Sequence, residues 1–176
     1  MFKVSQYSLR TVILLICCTL LPANVPAEWR VLNHGDQDID SVASIAYSLN
    51  ESGYTFQIYR DSRNAIRSRF TLSKGLLEFS DGSCPTYQID RGTPSNRSVN
   101  DADCLLEKNW AEFILGHVDG SNISSSTLLA LMNGIAINFR FRLSSGDYRE
   151  TKFSLQGSKR AMMATFGEDI QVIISR

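Results

Sequence analysis

The sequence predicts a mainly β protein, an antiparallel β-sandwich or open barrel with two short helices. In residues 135–143 every second side chain is apolar, which is the period of a half-buried strand. Residues 54–59 and 66–72 alternate in the same way on either side of a short polar turn. Other apolar segments follow at roughly ten-residue spacing with tight turns between them, which is typical of an antiparallel meander.

A β-hairpin is predicted where the strand Ile135–Leu143 meets the next alternating segment, Arg149–Leu155. Directly opposed residues of an antiparallel pair lie on the same face, so the odd-numbered apolar residues of these two segments share a face only when the connecting loop has an odd number of residues. With the turn centred on Gly146, Phe139 lies opposite Phe153 and both side chains share the buried face. The hairpin is therefore expected to supply a large part of the core.

Two short helices interrupt the strands. The first begins at the hydroxyl side chains of residues 124–127 and ends at Asn133-Gly134, which tolerate the left-handed conformation. The second begins at Gly157-Ser158 and ends at Gly167, and a last strand is expected over residues 170–174.

The first 27 residues have the pattern of a secretory signal peptide. Basic residues precede a short apolar run, Val12 to Leu21, and Pro22 and the small-residue sequence ending at Ala27 follow it. The apolar run is about half of the roughly 20 residues that a membrane span requires, so a membrane anchor is the weaker reading. We expect cleavage after Ala27 and a periplasmic or secreted protein.

The remaining residues, 28–176, are expected to form a single β-rich domain with a substantial core. The domain would carry 16 basic and 18 acidic residues, a formal charge of −2. A balance of this kind gives no support to a nucleic-acid partner. No second apolar run is long enough to predict a transmembrane segment in the mature chain.

Two cysteines, Cys84 and Cys104, would remain after cleavage. In an oxidising compartment a disulfide between them is the default expectation, and two buried free thiols are the alternative. The bridge would close a polar segment, residues 91–103, that is rich in Gly, Pro, Ser and Asn.

The residue patterns predict no catalytic site, no metal site and no cofactor. His34 and His117 are the only histidines, and Asp119 could orient the second of them, but no nucleophile motif accompanies either. The D-x-D-x-D spacing of residues 36–40 resembles the start of a calcium loop but lacks its glycine and glutamate. We expect an acidic surface turn there.

A candidate binding surface lies on the polar face of the predicted hairpin. In the expected register Arg142 opposes Glu150 and Arg140 opposes Lys152, all pointing away from the core. A rigid basic face of this kind could receive an anionic partner, and a solvated strand face is the alternative. The residues that could form the surface are three from the hairpin and two from another strand: Arg140, Arg142, Lys152, Arg67 and Arg69.

Several segments occur in a characteristic order along the chain: Trp29, Cys84-Pro85, Cys104, residues 128–134, residues 139–143 and residues 153–161. In this order they resemble the invasion-associated locus B family of small exported bacterial proteins. The resemblance implies a β-rich periplasmic or surface protein, linked in some members to host-cell entry, with no catalytic residues.

The sequence therefore favours an exported, non-catalytic binding or accessory protein whose partner is a protein or an envelope component. Two alternatives stay open. One is an inhibitor of a hydrolase, built on a disulfide-tied β scaffold and acting through the 91–103 loop. The other is an envelope enzyme with an unrecognised site.

Overall fold

The computed structural model describes residues 28–33, 44–75, 78–95, 104–167 and 169–174. The predicted signal peptide, His34, the acidic turn at 36–40 and residues 96–103 lie outside them. The described part contains two helices and eleven strands: β1 Arg30–Asn33, β2 Ser44–Leu49, β3 Thr55–Arg60, β4 Ala65–Thr71, β5 Thr86–Ile89, β6 Cys104–Leu106, β7 Trp110–Asp119, β8 Asn122–Ser124, α1 Ser126–Asn133, β9 Ala136–Arg142, β10 Tyr148–Ser154, α2 Ser158–Phe166 and β11 Gln171–Ile173.

Two sheets confirm the predicted fold class. The large sheet has the order β1-β2-β3-β4-β7-β8-β11, with β6 beside β7, and it curls into a half-barrel. The small sheet has the order β10-β9-β5 and is antiparallel. The one parallel pair, β8 with β11, lies at the margin of the large sheet and departs from the expected antiparallel pattern.

The inner faces of the two sheets meet through aromatic rings. Phe70 of β4 lies parallel to Phe139 of β9, with ring centroids 4.4 Å apart. Phe56 of β3 contacts Phe139 and Phe153, and all four rings are fully buried. Burying a phenylalanine side chain stabilises a fold by about 1.5–3 kcal/mol, so this cluster forms the centre of the core. Helix α2 contacts β1, β2 and β3, where it buries Met162 in the same core.

The predicted hairpin forms with the expected parity, but its register is shifted by two residues. Phe153 lies opposite Ile137, and Phe139 lies opposite Thr151. The connection is a three-residue loop that reverses around Ser145 and not around Gly146, because Leu143 N donates to Asp147 O across it. Gly146 has φ +94°, the left-handed conformation that ends such loops. Phe139 and Phe153 therefore share the buried face as predicted, with different direct neighbours.

Ile135 does not belong to the buried face of this hairpin, in contrast to the sequence prediction. Its side chain is 79% exposed, because the strand begins only at Ala136. Asp90 fixes this boundary, since its Oδ1 accepts hydrogen bonds from the backbone N–H groups of Ile135 and Ala136, both at 2.9 Å. A Cβ at the preceding Gly134 would lie 2.8 Å from Ala130 O, so only glycine fits the close approach.

The predicted disulfide is present and links the two sheets. Cys84 leads into β5 of the small sheet, and Cys104 is the first residue of β6 in the large sheet. Residues 78–80 also connect the sheets. Phe79 N donates to Lys108 O, and Ser80 N donates to Arg142 O. Phe79 also forms an antiparallel bridge with Leu143.

Two side chains from the large-sheet side cover the outer edge of β10. Asn50 Nδ2 donates to Thr151 Oγ1 and to Lys152 O, while Asn50 Oδ1 accepts from Ser52 N and Tyr54 N. Trp29 Nε1 donates to Ser154 O at 2.8 Å. An edge strand with free carbonyl groups invites pairing with another chain, and these two donors occupy that edge.

Replacing Ser48 with alanine is expected to stabilise the protein. The Ser48 hydroxyl is fully buried on the inner face of β2 and has no hydrogen-bond partner. An unsatisfied buried hydroxyl costs about 1–3 kcal/mol, and Ser48→Ala removes it with little change in volume. Chemical denaturation should show a gain of about 1 kcal/mol in the free energy of unfolding. A loss of stability would mean that the hydroxyl has a role that the contacts do not reveal.

Candidate functional site

The outer face of the small sheet is an array of polar side chains. Alternate residues of its three strands point away from the aromatic core, and the strand pairing places them in rows. We call this array the basic face; its members are Thr86, Gln88, Asn138, Arg140, Arg142, Tyr148, Glu150 and Lys152. Because β9 lies in the middle of the sheet, the backbone that carries its outward residues is paired with a strand on both sides.

The charges of the basic face are only partly neutralised. Arg140 Nε lies 2.9 Å from Glu150 Oε2, and both side chains are more than half exposed. Arg142 lies over the ring of Tyr148, with 5.5 Å between the guanidinium carbon and the ring centroid. Within the described residues Arg142 and Lys152 form no ion pair. Three cations and one carboxylate leave this face with a net charge of +2.

The two-residue shift of the hairpin changes the pairing predicted for this face. Arg140 opposes Glu150 and not Lys152, while Arg142 opposes Tyr148 and not Glu150. The like-charge pair expected from the sequence is therefore replaced by a favourable ion pair. Lys152 lies opposite Asn138.

Arg67 and Arg69 do not extend the basic face. They lie on β4 of the large sheet, whereas Arg140, Arg142 and Lys152 lie on the small sheet. Both arginines point to the outer side of the large sheet, where they bind carboxylates. We call this group the Glu112 cluster; its members are Tyr59, Asp61, Arg67, Arg69 and Glu112.

Glu112 lies in the centre of this cluster, and its two carboxylate oxygens accept hydrogen bonds from the surrounding side chains. Arg67 Nη1 lies 2.7 Å from Glu112 Oε1, and Arg69 Nη2 lies 2.8 Å from Oε2. The Tyr59 hydroxyl donates to the same Oε2. Arg67 Nε also donates to Asp61 Oδ2 at 2.5 Å. Two cations and two carboxylates balance here, so the cluster is neutral although the Glu112 side chain is only 4% exposed.

The electrostatics of the cluster hold both carboxylates in their charged forms. Burial alone would raise the pKa of Glu112, but hydrogen bonds from Tyr59, Arg67 and Arg69 outweigh burial and hold this pKa below its usual value. Asp61 behaves in the same way, because its hydrogen bonds from Arg67 and from backbone N–H groups outweigh burial and lower its pKa. Burial and the hydrogen bond to Glu112 raise the pKa of Tyr59. Tyr59 therefore acts as a donor and not as an acid.

The sequence reasoning missed Tyr59, Asp61 and Glu112 as members of a site, and it missed Trp110 beside them. Arg69 stacks on Trp110, with its guanidinium carbon 4.4 Å from the ring centroid. The sequence contained one signal of this site. On the outward side of β7 a single carboxylate, Glu112, lies between Trp110 and Ile114. The partner strand of β7 is β4, and Arg67 and Glu112 on these strands are 45 residues apart along the chain. The pattern of a single strand does not reveal pairing over such a separation.

Of the residues considered for catalysis or metal binding, His117 and Asp119 lie in the described part of the chain, while His34 and residues 36–40 lie outside it. His117 is exposed at the end of β7, and no hydrogen bond joins it to a carboxylate among the described residues. In the same part of the chain, no group of three or more potential ligands is placed to hold a metal ion. None of the helices described there is long and apolar enough to cross a membrane.

Comparison with known proteins gives no relative for this chain. No protein-family model, no curated protein and no solved structure matches it. The resemblance to the invasion-associated locus B family therefore stays a prediction from the sequence.

Proposed function

We propose that the protein is an exported, non-catalytic binding or accessory protein that holds an anionic partner on the basic face. The partner is a protein with an acidic surface or another anionic component of the cell envelope. The resemblance to the invasion-associated locus B family agrees with this role and suggests a link to host-cell interaction.

The observation that carries the proposal is the charge of a rigid surface. The basic face has a net charge of +2, while the domain of residues 28–176 has a formal charge of −2. Positive charge is therefore concentrated on this face although the domain as a whole has a negative formal charge. Such a concentration speeds encounter with an anionic partner and selects against cationic ones.

Binding at this surface costs little conformational entropy because the backbone is already ordered. Arg140, Asn138 and Arg142 lie on β9, which is paired on one side with β10 and on the other with β5. Arg142 is also oriented by its contact with Tyr148. A preorganised surface loses little conformational entropy on binding, so its charges contribute more to affinity.

The inhibitor and enzyme alternatives have less support. The inhibitor role depends on the 91–103 loop, of which residues 96–103 lie outside the described residues. The enzyme role depends on His117, which has no carboxylate hydrogen-bonded to it in the described part of the chain. Neither alternative has an observation that favours it over binding.

Replacing Arg140, Arg142 and Lys152 together with serine is expected to weaken partner capture at least about tenfold, equivalent to about 1.4 kcal/mol. The variant removes every cation of the basic face. Capture should be measured from the native envelope fraction at two salt concentrations, because screening weakens exposed ion pairs. Vesicles of an anionic phospholipid, assayed in parallel, distinguish a lipid head group from a protein.

The matched control replaces three exposed cations elsewhere, Lys74, Lys159 and Arg160, with serine. It changes the net charge by the same amount. We expect capture by the control to match the wild type, and both variants to melt within a few degrees of it. Equal capture by all three proteins would leave the basic face as a solvated surface and refute the proposal.

A further inference from the structure

We propose that the basic face binds an acidic polysaccharide, a sugar chain that carries the carboxylates of uronic acids. The inference rests on the proposed function, because it uses the same surface and names the chemical class of the anionic component. The observation that carries it concerns the uncharged members of the face. They accompany the cations in every row and can form hydrogen bonds with sugar hydroxyl groups.

The strand pairing sets the outward side chains of the small sheet in three rows. Each row contains one cation and at least one side chain with a hydroxyl or amide group. The rows are Arg142 with Tyr148, Arg140 with Glu150 and Thr86, and Lys152 with Asn138 and Gln88. Successive rows are about 6.8 Å apart along the strands, and neighbouring strands are about 4.8 Å apart. A chain that lies along the strands therefore meets a positive and a neutral polar group at each step.

The uncharged groups have hydrogen-bonding capacity that the described residues do not use. Within those residues the side chains of Thr86 and Asn138 form no hydrogen bond. Gln88 Nε2 donates to Gly92 O at 2.8 Å, and its Oε1 has no partner in the same part of the chain. An amide or a hydroxyl group offers both donors and acceptors, as a sugar hydroxyl group does. These side chains therefore match a ligand that carries hydroxyl groups between its charges.

Tyr148 adds an exposed aromatic ring at one end of the face. It is 79% exposed, and the guanidinium carbon of Arg142 lies 5.5 Å from its ring centroid. A sugar ring presents C–H groups on its faces, and these pack on the electron-rich face of an aromatic ring. A guanidinium group binds a carboxylate with two parallel hydrogen bonds. Tyr148 and Arg142 together therefore match the ring and the carboxylate of one uronic acid.

Other anionic partners fit the composition of this face less well. A protein interface has a buried centre that is poor in charged residues, and no member of the basic face is Leu, Ile, Val, Met or Phe. Stable adsorption to an anionic bilayer requires inserted apolar groups or a larger excess of cations than this face has. A nucleic acid gains affinity from neutralised phosphates, which the carboxylate of Glu150 opposes in the middle row.

Isothermal titration calorimetry with polygalacturonate, alginate and hyaluronate tests the ligand class, because these polymers carry different uronic acids. We expect at least one of them to bind. The methyl ester of that polymer should bind at least about tenfold more weakly, which corresponds to the loss of one charge-assisted hydrogen bond. Esterification removes the negative charge and keeps every hydroxyl group, so it is the matched control for the ligand.

Two substitutions separate sugar recognition from charge attraction, because they leave every charge of the face in place. Tyr148→Ala and Asn138→Ala should each weaken binding of the uronate polymer by roughly three- to tenfold. Tyr148→Phe keeps the ring and should retain binding. Ile135→Ala is the control, because Ile135 is equally exposed and lies off this face. Circular dichroism and thermal melting establish that each variant folds, and the Tyr148 variants decide the question if Asn138→Ala does not fold.

Polyglutamate, phosphatidylglycerol vesicles and oligothymidylate are titrated in parallel as anions of other classes. The inference is overturned if no uronate polymer binds, if the methyl ester binds equally well, or if one of these three anions binds as tightly. Tyr148→Ala binding as well as the Ile135→Ala control would also overturn it. Envelope capture by the triple serine variant is measured separately. Its loss would still support the proposed function after any of these outcomes, so the two failures are distinguishable.

Discussion

Replacing Glu112 with glutamine is expected to lower the free energy of unfolding by roughly 3 kcal/mol. Glu112 is the shared acceptor for Tyr59, Arg67 and Arg69, and its side chain is almost completely buried. Glutamine keeps the shape but removes the charge, which leaves two guanidinium groups without their central counterion. Removing one partner from a buried ion pair is strongly destabilising for this reason. Denaturant titration at neutral pH measures the loss.

The matched control is Glu150→Gln, which makes the same chemical change in an exposed ion pair with Arg140. Exposed pairs contribute only about 0–1 kcal/mol, so this variant should lose little stability. Equal losses in the two variants would show that burial of Glu112 does not govern its contribution.

The same substitution should alter the response to acid. Because the folded state holds the pKa of Glu112 below its usual value, its stabilising contribution is present above the unfolded-state pKa and is lost as the pH falls through the folded value. Wild-type stability should therefore fall from about pH 4.5 downward, and the fall should be shallower in Glu112→Gln. Parallel acid slopes in the two proteins would contradict the depressed pKa.

Replacing both Cys84 and Cys104 with alanine is expected to cost roughly 3 kcal/mol of stability. The bridge spans 20 residues and joins the small sheet to the large one. On the chain-entropy model a cross-link of this length reduces the freedom of the unfolded chain by about that amount. Residues 78–80 also connect the sheets, so the variant should still fold.

Reduced wild-type protein provides the control for this double variant, because it lacks the bond but retains both sulfur atoms. The two should unfold at the same denaturant concentration, well below the oxidised wild type. A double variant as stable as the oxidised protein would mean that the bridge constrains little of the unfolded chain.

Local patterns were sufficient to predict most of the fold. The alternation in residues 54–59 and 66–72 identified β3 and β4, and the glycine stops identified both helices. The parity argument predicted which hairpin residues are buried, because a side-chain period of two admits only two answers. The predicted register was wrong by two residues. A three-residue loop that ends at Gly146 and a longer loop centred on Gly146 have the same parity, so parity does not distinguish them.

The candidate sites were harder to predict from the sequence because they depend on which strands are neighbours in a sheet. Arg140, Arg142 and Lys152 were grouped correctly because they share one hairpin. Arg67 and Arg69 were grouped with them because their strand also presents arginines on its outer face. Only the pairing of β4 with β7 reveals that Glu112 forms an ion pair with each of them. Pairing between distant strands is set by the whole core, so no short segment contains it.

Site-specific photo-crosslinking measures whether the basic face contacts the proposed partner. A photoreactive phenylalanine replaces Tyr148, which is 79% exposed on the basic face, and in a second protein it replaces Ile135, equally exposed but off that face. After irradiation in the native envelope fraction, we expect a discrete adduct from position 148 that high salt diminishes, and none from position 135. An adduct from position 135 alone, or the same adducts from both, would contradict the account.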